Sequence, residues 1–406
     1  MAHANGHYDE AALMTRPTAA LGRLGSRSMI IAGVGLAASA AGYMTAPQHF
    51  WQSYLIAYIF WIGITLGSLG VLMVQHLTGG AWTMASRRLL EGAAKNMPLM
   101  ALLFLPIYFN MAKLYPWVSP DPADEKMQEV IHLKGAYLNP GFFTARAALY
   151  FAIWIGLTYF LAKWSREQDE MPAQVPGPLD RRSRMLSGPG LVLFVATITF
   201  MSVDWVMSLD PHWFSTIFGV LMIGGSGLST MAFSILMLAL LSRVEPMSRV
   251  ATAEKFHDHG KLMFAFVMLW AYFSISQLLI IWSANLPEEV PFYLERLHGP
   301  WYPISLVLLY GHFALPFLIL LSSRLKQNPD RVKWVALFIL AMRVVDVAWT
   351  IGPVFRHEGS ALSWVDFAAV FGIGGIWLVL FFRNLSARAI VPAKDPYFKE
   401  SMAHGH

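Results

Sequence analysis

The sequence predicts an all-α polytopic membrane protein with ten transmembrane helices, on three observations. Charged residues are 14% of the 406-residue chain, against about 25% in typical soluble proteins. Hydrophobic residues reach 56% and the mean hydropathy is +0.48, more apolar surface than a soluble core of this size covers. The apolar residues are gathered into ten long runs. A helix of about 20 such residues crosses hydrocarbon with its backbone groups bonded internally.

A polar leader, residues 1–27, lacks a small-residue cleavage site, so no cleaved signal peptide is expected and the first run, Ser28 to Ala46, is span 1. Span 2, Trp51 to Gln75, opens on a tryptophan, and span 3, Met97 to Ala112, follows the basic loop of Arg87, Arg88 and Lys95. Span 4 is Gly141 to Ala162 and span 5 Pro189 to Leu209, each introduced by or beginning with proline. Span 6, Phe214 to Leu241, and span 7, Leu262 to Ala284, flank a basic loop. Span 8 is Trp301 to Ser322, span 9 Val332 to Gly352 and span 10 Trp364 to Phe382. The membrane domain covers residues 28–386 and a tail covers 387–406.

Of the 30 lysines and arginines, 23 fall in the leader, in alternate loops and in the tail. The other side has Lys113, Lys126, Lys134, Arg296 and Arg356, while Arg146 and Arg343 lie inside spans. The positive-inside rule then places both termini in the cytoplasm. Because the basic residues sit at membrane boundaries, the net charge of +5 is a topology signal and does not point to nucleic acid. With no cysteine, thiolate zinc sites, thiolate-bound iron–sulfur clusters and covalent C-x-x-C-H haem attachment are excluded within the chain.

His49-Phe-Trp-Gln-Ser before span 2 is echoed by His212-Trp-Phe-Ser-Thr before span 6, and both spans turn Gly-rich, at Gly67–Gly70 and Gly224–Gly227. A repeat in one direction implies two four-helix bundles, spans 2–5 and 6–9, with spans 1 and 10 peripheral. Aromatic belts and small residues that recur in any membrane protein explain the same echo. The long outer loop from Lys113 to Pro140 reads as a docking or lid segment, and the inner loop from Lys163 to Ser187 as a tether.

An ionisable residue at a helix centre costs roughly 2.5–3.5 kcal/mol unless paired or hydrated. Arg343 and Asp346 share one face of span 9, and His312 is central in span 8. Asp204, Arg146 and Asp366 lie in the outer parts of spans 5, 4 and 10. With His257, Asp258, His259 and Lys261 at the inner mouth of span 7, these residues form an expected proton path; a structural ion network accounts for the same set. Span 8 descends and span 9 returns, so His312 meets Arg343 within about a helical turn. The expected gate is a proton arriving through His312 that neutralises Asp346 and releases Arg343.

Neighbouring helix positions diverge by about 100°, so His257 and His259 do not chelate one ion, and no metal site is expected. His312 has no second deep histidine opposite it, so bis-histidine haem is not expected either. Tyr272, Ser274, Ser276 and Gln277 offer polar groups for hydrogen-bonded water or for interhelical bonds. Asp204, Asp210, His212, His49 and Trp205 read either as a quinone or quinol pocket near the outer surface or as an aromatic belt with a solvated turn.

The segment His257-Asp-His-Gly-Lys-Leu-Met-Phe-Ala-Phe-Val-Met-Leu-Trp-Ala-Tyr272, continuing from Ser276 to Glu289, resembles the quinol-oxidoreductase membrane subunits of alternative complex III. So does Asp204-Trp-Val-Met-Ser-Leu-Asp-Pro-His-Trp-Phe-Ser-Thr-Ile-Phe-Gly219. These subunits belong to the wider polysulfide-reductase-like superfamily, and the chain length is similar to that of the smaller, F, subunit. The resemblance implies a place in a bacterial inner-membrane electron-transport complex with the paralogous C subunit, an iron–sulfur subunit, pentahaem and monohaem cytochromes c and small membrane subunits. It implies that haem and clusters sit in those partners, that the C subunit holds the family's best-supported quinol site, and that the F subunit contributes proton translocation. A secondary transporter and a purely structural anchor are the alternatives.

Since the chain has no native cysteine, introduced ones report topology directly. Arg182→Cys and Lys394→Cys should react with an impermeant maleimide only from the cytoplasmic side, and Lys126→Cys only from outside. Labelling of Arg182→Cys from outside contradicts the ten-span reading.

Overall fold

The computed structural model describes residues 10–79, 82–120, 122–171 and 177–403. Parts of the leader (1–9) and tail (404–406), residues 80–81 in the span 2–3 loop, Asp121 in the long loop and 172–176 in the span 4–5 loop lie outside the described residues. Among those described, ten helices are long and apolar enough to cross a membrane: Thr18–Thr45, His49–Thr78, Arg87–Phe109, Pro140–Glu170, Leu179–Leu209, Phe218–Leu241, Ala253–Ala284, Gly299–Leu320, Pro329–Val354 and Trp364–Ser386. They keep the names span 1 to span 10. The chain is a multi-pass membrane protein by this architecture.

Most spans outrun the apolar runs that announce them, because the helix continues through polar turns beyond the hydrocarbon. Span 7 starts at Ala253, where the Thr252 hydroxyl accepts from Lys255 N, so His257–Lys261 are helical. Span 5 begins at Pro178 and runs on through Pro189. Span 3 begins at Arg87 as two segments, Arg87–Ala94 and Met97–Phe109. Span 6 starts later than its apolar run, at Phe218.

Spans 2–5 pack as a closed ring, and so do spans 6–9. The two four-helix bundles meet along spans 2 and 6, with span 9 also reaching span 2 and span 5 reaching span 6. Glycine permits this approach: a Cβ on Gly67 would lie 2.3 Å from Thr230 Oγ1 and 2.5 Å from the Ser226 carbonyl oxygen. The recurring Gly-rich stretch therefore has a packing reason. Span 10 is less peripheral than expected, 67% buried over its apolar window, because span 1 covers it.

The ends bearing Arg87, Arg88 and Arg388 make a basic face; the opposite end is the far face. At the basic face Glu91 bonds Arg87, Arg88 and Arg388, Arg88 reaches Asp169, and Arg87 reaches Asp395. This network ties spans 3 and 4 to the tail, whose Ile390, Val391 and Phe398 are buried. The long loop on the far face carries a helix, Glu125–Lys134, and buries Tyr115 and Trp117.

Gly67→Leu forces a side chain into span 6. Overpacking of this kind costs about 1–3 kcal/mol, so the midpoint of thermal unfolding in detergent should fall; an unchanged midpoint contradicts the close crossing.

Candidate functional site

Span 9 places Arg343 and Asp346 one turn apart, and they form an ion pair inside the second bundle. The Trp270 indole donates to the same carboxylate oxygen, Oδ2, at 3.1 Å. Arg343 Nε donates to Ser229 Oγ at 3.3 Å, and the guanidinium lies where a Cβ on Gly225 would stand, 2.2 Å from Nη2. Glycine at 225 is thus a condition for seating this arginine. Asp346 Oδ1 has no hydrogen-bond partner among the described residues, and Asp346 lines a cavity.

His312 is fully buried, with neither ring nitrogen hydrogen-bonded among the described residues. Its ring packs on Trp270 with centroids 4.1 Å apart. The expected neighbourhood of His312, Arg343 and Asp346 is therefore present, but Trp270 mediates it, and the direct passage from His312 to Asp346 is not. His312 lies in a π-helical stretch, Leu308–Ala314, where Leu315 N bonds the carbonyl of Tyr310. Pro316 supplies the cause, since without an N–H it cannot serve the His312 carbonyl one turn back.

The cavity, about 260 Å³, runs from Arg343 and Asp346 toward the far face, under the short helix Pro291–Leu297. Ser274, Gln277, Tyr293, Ser305 and Thr350 supply its polar wall. Ser215 Oγ donates to Gln277 Oε1 at 3.4 Å, extending the polar line outward. Burial pushes the Tyr293 phenol up against the opposing effects of Gln277 and Arg296, so it keeps its proton at neutral pH. Arg296 fixes the short helix by donating to the carbonyls of Thr350 at 2.7 Å and Trp349 at 3.2 Å. Toward the basic face, by contrast, span 7 is apolar without interruption from Leu262 to Leu269.

The inner-mouth group is held apart from this site. His259 is locked between Lys255 O and Ser86 Oγ, both at 2.7 Å, while His257 meets Ser323 Oγ at 3.0 Å and Asp258 meets Lys261 at 3.5 Å.

Asp204 and Arg146 form a separate, closed site in the first bundle. The carboxylate receives Arg146 Nε at 2.8 Å and Nη2 at 2.9 Å, and the Tyr150 hydroxyl at 2.7 Å. Asp366 is likewise saturated by Arg356, Ser53 and the Ser363 backbone, in the capping box that starts span 10. The five residues read as a quinone pocket are divided. Asp204 and Trp205 are core residues, the latter stacked on Phe104; Asp210 caps the turn at His212 N; His212 and His49 are exposed.

Among the described residues no three His, Asp or Glu side chains are grouped as metal ligands. Of the polar residues noted on span 7, Ser274 and Gln277 line the cavity whereas Tyr272 is 65% exposed on the outer surface. Trp270, Tyr293 and Thr350 were not identified from sequence. Trp270 has a legible signal, since it stands three and four residues before Phe273 and Ser274 on the same helix face; Tyr293 belongs to a loop helix without one. No protein-family model matches the chain, and no curated protein matches it.

Removing one partner of a buried pair costs about 3–5 kcal/mol. Asp204→Ala should therefore lower thermal stability strongly, and Arg146→Met with Asp204→Leu should recover most of the loss. Full stability in Asp204→Ala contradicts a structural role.

Proposed function

We propose that this chain is a membrane subunit of a bacterial quinol:electron-acceptor oxidoreductase, with both termini cytoplasmic, and that Asp346 exchanges protons with the outer side. The resemblance of residues 204–219 and 257–289 to alternative complex III subunits supports the complex. The partners are then the C subunit, the iron–sulfur subunit and the haem cytochromes, which carry the redox groups.

One observation carries the proton reading. Asp346 lines a cavity that also reaches Ser274, Gln277 and Tyr293, and its Oδ1 has no hydrogen-bond partner among the described residues, while Oδ2 is held by Arg343 and Trp270. A proton arriving through that cavity neutralises Asp346 and loosens Arg343, which retains Ser229 as a partner. His312, coupled through the Trp270 ring, is a neighbouring acceptor. Span 7 is apolar from Leu262 to Leu269 on the basic-face side, while the cavity's Ser274, Gln277 and Tyr293 lie on the other, which favours a half-channel toward the outside. For the first bundle, the saturated Arg146–Asp204 pair favours the structural-anchor reading.

In the assembled, reconstituted complex, Asp346→Asn should slow proton-coupled quinol turnover by about 10²-fold, the lower range for one proton-transfer group. Asp346→Glu should restore part of it. Unchanged rate and proton stoichiometry in a complex that assembles normally make the pair structural.

A further inference from the structure

The cavity beside Asp346 also opens sideways. Spans 7 and 8 pack together through Leu308–Leu320, whereas the first turns of span 8, Tyr302–Val307, pack chiefly on span 9 and on the short helix Pro291–Leu297. Between spans 7 and 8, Ile275 of span 7 and Tyr302 and Leu306 of span 8 line the cavity and are 49%, 48% and 36% exposed, which leaves a gap there. A gap of this kind admits molecules from the bilayer and not from water.

Its interior narrows the choice of occupant. A volume of about 260 Å³ greatly exceeds the ~10–15 Å³ that one water needs by this measure, and lies just under the ~300–1,000 Å³ common for small-molecule sites. Arg343 is the one lysine or arginine lining it among the described residues, and its guanidinium is already engaged by Asp346 and Ser229. An anionic head group, such as a phosphate or a fatty-acid carboxylate, thus meets no free cation and faces the Asp346 carboxylate. A hydroxyl donor suits Asp346 Oδ1. Gln277 and Tyr293, toward the far face, supply a second polar position, and the aromatic wall of Trp270, Phe292 and Trp349 suits a flat ring.

We propose that this cavity is a lateral-access binding site for a membrane-soluble quinol, its ring between Asp346 and the Gln277–Tyr293 pair and its apolar tail leaving through the gap between spans 7 and 8. The site is distinct from the Asp204 group, where the carboxylate is saturated. It deepens the proposed function at the same residues but concerns binding alone.

The test uses the purified full chain in quinone-free lipid nanodiscs and a tritiated decyl-substituted para-benzoquinol as probe, with the oxidised quinone and palmitate as competitors. Saturable binding is expected, with palmitate a poor competitor. Ser274→Trp, which fills the cavity, should abolish it, and Gln277→Leu, close in volume, should weaken it. Asp346→Asn should weaken the quinol about tenfold or more, as loss of a hydrogen bond to a charged group does, and the quinone, which has no hydroxyl to donate, much less. Leu306→Trp should slow association.

Absence of saturable binding to the folded chain overturns the proposal. So does equal competition by palmitate, or binding unmoved by both Ser274→Trp and Gln277→Leu. Loss of quinol binding with Asp346-dependent proton stoichiometry intact overturns this site alone, and the converse overturns the proton reading alone.

Discussion

Among the described residues every buried carboxylate of this protein is met by an arginine, and that constraint organises the fold. Arg146–Asp204 joins spans 4 and 5. Arg356–Asp366 joins the span 9–10 loop to span 10 and, through Ser53, to span 2. The Glu91 network joins spans 3 and 4 to the tail. Each group links different segments, the third because Glu91, besides pairing with Arg87 and Arg88 of its own helix, also holds Arg388 of the tail, and the desolvation cost is offset by hydrogen bonds that fix helix register.

Arg343–Asp346 differs in that no acid or base from another segment joins it among the described residues. Its partners are three residues apart on one helix, Trp270 shares one carboxylate oxygen, and the other has no hydrogen-bond partner among the described residues. Neutral partners on spans 6 and 7, Ser229 and Trp270, hold the pair without a second acid or base, so a proton on Asp346 leaves Arg343 with no other carboxylate to turn to. The asymmetry of its surroundings sets a direction: polar residues lead to the far face and an unbroken apolar stretch of span 7 leads to the basic face.

The number of spans, the two-bundle arrangement and the depth of the ionisable residues were legible, because hydropathy and helix length act locally. The pairing of Arg343 with Asp346 was legible for the same reason. What the sequence did not disclose depends on contacts between distant segments. Asp204 looked like a candidate base until Arg146 and Tyr150 were seen to saturate it. Trp270 between His312 and Asp346 depends on the relative rotation of spans 7, 8 and 9, which periodicity does not encode. Tyr293, placed by Arg296 holding a seven-residue helix against the end of span 9, lies further still from any local pattern.

The central claim is that Asp346 changes protonation state in contact with the far side of the membrane. Infrared difference spectroscopy on oriented proteoliposomes, with the pH stepped on one side at a time, measures it directly. The account predicts a carboxylic-acid C=O band that responds to the pH on the far side, is insensitive to the basic side, and is absent in Asp346→Asn. A band that follows the pH of the basic side, or one that persists in Asp346→Asn, contradicts it.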